Sequence, residues 1–311
     1  ETISIKSQEN MIRYCTFKNQ QDAMLCFRNG DNNVAYGNFF INSGGIRVKE
    51  ANNIFCYNNY FEKSGIGSSA DAVTFVYDIS TYPVVLKNIN FIHNTFYNCG
   101  DIDLGGTGAT NNIWANNIFK KTSGNIFKNV NKGTTWVGNI YQGTLGITIT
   151  SGIIKSDPLL ITNSDGYKGL SAGSPAINAA SSSYPDILDI PVIDDDPTLL
   201  FDVGRKSRPT TITLKDVGSD EFTSGATTNH PLLVTEVGPS YLGGPSLSVN
   251  PNELLDKKNT ILIFPNPAKT SFTLETSAIA GVLVKVAVYN LNGQLVKSNE
   301  DFQKQAFISQ N

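Results

Sequence analysis

The chain has 311 residues, a formal net charge of −3 and 16% charged residues. That balance argues against a general nucleic-acid binder, and the length leaves room for one long domain and a smaller one. No apolar run approaches the roughly 18–20 residues of a membrane span.

The first stretch, Glu1 to Ser7, alternates Ile3 and Ile5 with Thr2, Ser4 and Lys6, the period-two pattern of a strand with one buried face. It starts inside a strand with no initiator Met, so the chain reads as lacking its true N-terminus. Basic residues follow Lys6 at Arg28 and Arg47, 22 and then 19 residues on. Were one coil of that length, the three cations would stack on neighbouring strands about 5 Å apart.

Aromatic residues set a repeat. Phe17, Phe40, Phe61, Phe96, Phe119 and Tyr141 are separated by 23, 21, 35, 23 and 22 residues, and Cys15, Asn38, Asn59, Asn94, Asn117 and Asn139 stand two positions before them. The period is too short for a βαβ unit and has no helical spacing. It predicts an all-β chain whose main part is a right-handed parallel β-helix, with aromatics stacked inside and asparagines hydrogen-bonded from coil to coil as a turn ladder rather than as ligands. The 35-residue gap reads either as an excursion from the coil or as an ordinary loop; it includes Ser64 to Ser69 and then Asp71 to Tyr77, next in sequence to the Arg47 turn. The four cysteines, Cys15, Cys26, Cys56 and Cys99, have neither CxxC spacing nor scaffold density. They read as buried thiols, with a Cys15–Cys26 or Cys26–Cys56 bridge left open.

After Tyr141 the repeat weakens through stretches such as Asp202-Val203-Gly204 and Asp216-Val217-Gly218-Ser219-Asp220-Glu221, which resemble the closing coils of extracellular β-helix enzymes. Asp194-Asp195-Asp196 reads as a solvated loop, because adjacent carboxylates seldom converge on one ion. His93 reads as a turn or packing residue. His230 stands alone in a linker, so no histidine triad or zinc site assembles. Asp101 and Asp103 share a face but nothing else supports a two-carboxylate hydrolase. The organisation expected is a β-helix over 1–222, a cap and linker over 223–258, and a small antiparallel β-sandwich over 259–311 with an Asn292-Gly293 turn.

The last segment is similar to the C-terminal sorting domain of the type IX (Por) secretion system, through Phe264-Pro265-Asn266-Pro267 and Val288-Tyr289-Asn290-Leu291 followed by Gly293 and Leu295-Val296. The family domain runs longer, so the sandwich is expected to be incomplete at Asn311. The resemblance implies a secreted or cell-surface protein of a Bacteroidetes-type bacterium, with the type IX machinery as a partner.

The main part resembles polysaccharide lyase family 6, which contains alginate lyases and chondroitinase B. The resemblance lies in Glu1 to Ser7, Phe27-Arg28-Asn29-Gly30, Gly44-Gly45-Ile46-Arg47-Val48 and Asn58-Asn59-Tyr60-Phe61. It implies a calcium-dependent lyase acting on uronic-acid polymers by β-elimination, alginate before dermatan sulfate. In that scheme Lys6 is the base, Arg28 the acid, Arg47 a holder of a substrate carboxylate or sulfate, and Glu1 one Ca²⁺ ligand. Asn29, where the family commonly has His, is a substrate contact. The roles suit the chemistry: removing a C5 proton beside a carboxylate builds negative charge, which cations stabilise, and a hard ion such as calcium takes oxygen ligands. The family's other calcium ligands would lie before Glu1, so this chain is expected to bind calcium weakly and to be nearly inactive beside its parent. The competing reading is a non-catalytic β-helix that binds glycans or acts as an adhesin.

Overall fold

A computed structural model of the chain describes residues 1–66, 71–76, 86–106, 108–130, 133–182, 184 and 199–238, together with the backbone strands 262–264, 271–275, 286–289, 295–299 and 305–309. It divides into two units, Glu1–Leu232 and Leu233–Asn311.

The first unit is the expected parallel β-helix. Each coil sends one strand to each of three parallel sheets. The first sheet stacks Ile3–Ile5, Leu25–Arg28, Ile46–Lys49, Val73–Val76, Ile102–Asp103 and Phe127–Lys128 in sequence order. The aromatic repeat lies in the third sheet, where Phe17, Phe40, Phe61, Phe96, Phe119 and Tyr141 are direct partners from coil to coil. Phe40 and Phe61 stack with centroids 4.7 Å apart, and Phe61 and Phe96 with centroids 4.4 Å apart. Such parallel stacks add stabilisation beyond the apolar area they remove from water.

The asparagine ladder runs through the coils as the repeat requires. The backbone N–H groups of Asn38, Asn59, Asn94 and Asn117 each donate to the side-chain oxygen of the next ladder residue, at 3.1, 2.9, 2.9 and 2.9 Å. Cys15 sits at the end of the ladder, where its own N–H meets Asn38 Oδ1. A second ladder, which the aromatic register does not reveal, joins Asn32, Asn53, Asn88 and Asn111 through their side chains. All four have positive φ, a backbone region that asparagine enters more readily than most residues. The bends between sheets therefore explain two properties at once, the abundance of asparagine and its spacing.

Two expectations change. The segment leading into Tyr77 is not an excursion, because Val73–Val76 pairs residue for residue with Ile46–Lys49. The extra length falls on either side of that strand. Gly67 to Ser69 and Tyr77 lie outside the described residues, as does Asp194 to Asp196. All four cysteines are free, so neither bridge forms.

Close packing of coils explains Gly44-Gly45 before the Arg47 strand. A Cβ on Gly45 would stand 1.8 Å from the Ala72 carbonyl oxygen, and one on Gly44 2.3 Å from that of Ala23. Residues 199–232 then pack along the coils. Ser219 N–H donates to Thr95, Arg208 to Asn58, and Asn229 to the Gly37 carbonyl. Arg208, whose side chain is fully buried, is neutralised by Glu221 at 2.8 Å. In the second unit the described strands are antiparallel, Leu262–Phe264 with Ser271–Glu275 and Gln305–Ser309, and Val286–Tyr289 with Leu295–Asn299.

Candidate functional site

The outward face of the first sheet gathers the cations. Strand alternation buries Leu25, Phe27, Ile46 and Val48 and turns Arg28, Arg47 and Lys49 outward, each partly exposed. Pairing of Ile5 with Phe27 places Lys6 one step further on, level with Arg28. Arg28 is the direct partner of Lys49, while Arg47 is the partner of Cys26. The three cations named from the sequence are thus not at one height. Lys6, Arg28 and Lys49 form one row, and Arg47 belongs to the adjacent row with Ser4, Cys26 and Thr74. The reason is coil length: this stretch takes 21 residues per coil, as Phe40 to Phe61 does, so a step of 19 from Arg28 lands two residues short.

Glu1 joins the two rows. Its Oε1 lies 3.6 Å from Arg28 Nη1 and 4.0 Å from Arg47 Nη1. A hydrogen bond from Ser4, with smaller contributions from Cys26 and Arg28, holds the Glu1 carboxyl below its ordinary range despite the opposing effect of burial. Burial, and then the Glu1 carboxylate, push the Cys26 thiol up to about 12. Cys26 is therefore a protonated thiol at neutral pH and no nucleophile.

Asn29 follows Arg28 with φ 59 and donates from Nδ2 to Glu50 Oε2 at 2.8 Å. A carboxylate only accepts, so the amide must present its nitrogen to Glu50. Asn29 Oδ1 is then the acceptor outside this contact. Glu50 is buried, and its other oxygen lies 3.9 Å from Lys49 Nζ. Replacing Asn29 by Asp keeps the left-handed turn accessible but sets a second carboxylate against this buried one. Asn29→Asp is expected to lower stability by about 1–3 kcal/mol at pH 7, read as a shift in the denaturant midpoint. An unchanged midpoint would mean that the Asn29–Glu50 contact does not hold the turn.

In the later coils the charges neutralise one another. Lys128 pairs with Asp71 at 2.8 Å and stands 3.9 Å from Asp103, and Lys121 pairs with Asp101 at 3.1 Å. Asp101 and Asp103 are thus counter-ions of lysines. His93 is a turn residue, buried, with φ 51 and taking the Asn116 amide on Nε2. Burial, then Arg208 and Lys215, push its pKa well down, so it stays neutral.

The face brings Glu1, Arg28 and Arg47 together and sets Lys6 and Asn29 beside them. It also contains Lys49 and Glu50, which the sequence reading missed although the coil length pointed to Lys49. A cation site is less complete. Among the described residues no group of three or more His, Cys, Asp or Glu side chains is placed to hold a metal ion, and Glu1 already faces two guanidinium groups. These residues alone do not make a calcium site.

This arrangement defines a class: a parallel β-helix with a basic, extended face, followed by a separate antiparallel β unit. Comparison with known proteins adds two particulars. Residues 262–310 match the secretion system C-terminal sorting domain family, which marks the chain as a secreted or cell-surface protein of the Bacteroidetes type IX route. Among the described residues no helix is long and apolar enough to cross a membrane. The β-helix is similar to the solved PL6 family alginate lyase AlyGC, at 20% identity and a TM-score of 0.50, over 60% of this chain and 30% of that one. An arginine-to-alanine mutant of the same lyase matches over the same shares, at 20% identity and a TM-score of 0.47. The likeness to AlyGC is one of fold, and the chain spans 30% of that lyase's length. No curated protein sequence matches the chain.

Proposed function

We propose that this face belongs to a polysaccharide lyase that cleaves uronic-acid polymers by β-elimination, with alginate the first substrate and dermatan sulfate the second. The observation that carries the proposal is the convergence of Arg28 and Arg47 on one carboxylate, that of Glu1. A uronate presents the same group, and a pair of guanidinium groups that accommodates one carboxylate can serve the carboxylate and the adjacent developing charge of a bound uronate.

In the reaction Lys6 takes the C5 proton, the C–H electron pair forms the C4–C5 double bond, and the C4–O4 bond breaks. Arg47 holds the substrate carboxylate, which shares the charge developing at C5. Arg28, one strand from Lys6, stabilises the departing O4, which leaves protonated by Arg28 or by water. Arginine is a weak acid, so its main contribution here is electrostatic. Asn29 Oδ1 accepts from a sugar hydroxyl. Calcium belongs to the proposal through the family resemblance alone, with Glu1 as one oxygen ligand, and its chemistry when bound would be neutralisation of the substrate carboxylate.

The test is to incubate the full protein with alginate and, separately, with dermatan sulfate, with and without a chelator, and to follow ultraviolet absorbance of an unsaturated uronate. Absorbance that rises with either polymer and falls with chelator is the expected result. Binding without absorbance would replace the lyase by a glycan-binding or adhesive surface.

A further inference from the structure

The row that contains Lys6 and Arg28 has a third cation. Lys49 is the direct strand partner of Arg28 on the same outward face. Its side chain is 21% exposed, and its ammonium stands 3.9 Å from Glu50 Oε1. That separation is too long for a hydrogen bond. Among the described residues the ammonium has no hydrogen-bond acceptor at all, so its donors remain for a ligand. Glu50 is a fitting anchor because its side chain is 1% exposed and its Oε1 has no hydrogen-bond partner. A buried anion of this kind draws the lysine towards it without enclosing it. The same carboxylate fixes Asn29 through its other oxygen, so one buried group braces two outward side chains next to Arg28.

The row ends there. Val76 follows Lys49 on the next strand, and the next lysine along the sheet, Lys128, is held by a hydrogen bond to Asp71 at 2.8 Å. Positive side chains thus recur once per strand over three strands, about 4.8 Å apart, a step on the order of one sugar ring.

Building on the proposed lyase reading, we infer that Lys49 is a ligand-binding residue of this face, taking the anionic group of the sugar next to the one placed between Lys6 and Arg28. The ligand chemistry this selects is a linear glycan with an anionic group on successive sugars. Two sources offer it: a polyuronate, with a carboxylate on every sugar, and a sulfated glycan in which carboxylate and sulfate alternate. Hyaluronan, with a carboxylate on every second sugar, does not.

The experiment measures binding and turnover separately on the full protein, with alginate, dermatan sulfate and hyaluronan as probes. Equilibrium binding is followed by calorimetry, and turnover by absorbance. Lys49→Gln is expected to weaken binding of the polymer that the wild type prefers about tenfold, the scale of one charge-assisted hydrogen bond. Its kcat should change less than about twofold, because the contact lies outside the reacting sugar. Lys49→Arg is expected to restore most of the affinity, and the wild type to bind hyaluronan about tenfold more weakly than its preferred polymer. A preference for alginate or for dermatan sulfate identifies the source of the second anion.

Equal binding of hyaluronan, or a Lys49→Gln variant within twofold of wild type, overturns the inference even if the protein is an active lyase. Because the hyaluronan comparison uses wild-type protein, it stands even if Lys49→Gln folds poorly. Binding that obeys the expected pattern without any turnover supports Lys49 while removing the lyase reading. Absence of binding to all three polymers removes both.

Discussion

Lys6→Ala is expected to lower the rate of unsaturated-product formation by about 10²–10⁴-fold, the range over which a positioned general base contributes. Lys6 lies one residue beyond the Ile3–Ile5 strand and is exposed, so truncating it removes no core contact and should leave the melting curve unchanged. The informative partner variant is Lys6→Arg. It keeps the positive charge beside Arg28 but holds its proton at every working pH. If Lys6 acts as a base, Lys6→Arg is as inactive as Lys6→Ala while binding polymer about as well as wild type. If Lys6 serves only as a cation for the substrate, Lys6→Arg retains most of the activity and Lys6→Ala loses affinity rather than kcat. The two variants therefore separate chemistry from attraction.

The fold was legible because the repeat is written in residue types that have one good use each. Aromatics recurring at 21–23 residues, apart from one 35-residue gap, with asparagine two positions before all but the first, leave few structures that satisfy both, and the register confirms every pair from Phe17–Phe40 to Phe119–Tyr141. The second ladder, Asn32 to Asn111, was present in the same sequence but lies off the aromatic register. Its signal is the positive φ of each residue, which composition does not separate from an ordinary polar bend. The segment before Tyr77 was misread for a related reason. Extra residues on both sides of Val73–Val76 hid a regular strand, and only pairing with Ile46–Lys49 restores it.

The site was legible in residue type and less so in alignment. Glu1, Arg28 and Arg47 do converge, yet reading Lys6, Arg28 and Arg47 as one row ignored the period that the aromatics had already set. Moving by that period from Arg28 leads to Lys49. A two-residue error preserves the face of a strand and changes only the position along it, which is why Arg47 still points outward with the others. The brace formed by Glu50 was out of reach of the sequence. Nothing in Lys49-Glu50-Ala51 distinguishes a buried carboxylate from a solvated one; its burial and its contact with Asn29 of the preceding coil appear only in the folded chain.

Asn94→Ala is expected to cost about 3–6 kcal/mol, the sum of several orphaned buried groups at about 1–3 kcal/mol each. Asn94 Oδ1 accepts from both the backbone N–H and the Nδ2 of Asn59, at 2.9 and 3.0 Å, and its own Nδ2 donates to the Cys56 carbonyl at 2.9 Å. The residue is fully buried, so no water replaces these partners. A domain of ordinary stability has about 5–15 kcal/mol in total, which makes this single change a large fraction of it. In a solenoid each coil is stabilised mainly by its neighbours, so a break here weakens the junction between the coils of Asn59 and Asn117. Denaturant unfolding followed by fluorescence of Trp114 and Trp136 would report it. The control is Asn111→Gly, which removes an exposed rung of the second ladder but keeps a backbone free to hold positive φ. That change is expected to cost less than about 1 kcal/mol. Equal effects of the two variants would mean that the buried ladder shapes the bend without stabilising the coil stack. A cost confined to Asn94 would identify the ladder as the main polar support of the β-helix, holding the spacing on which the row of Lys6, Arg28 and Lys49 depends.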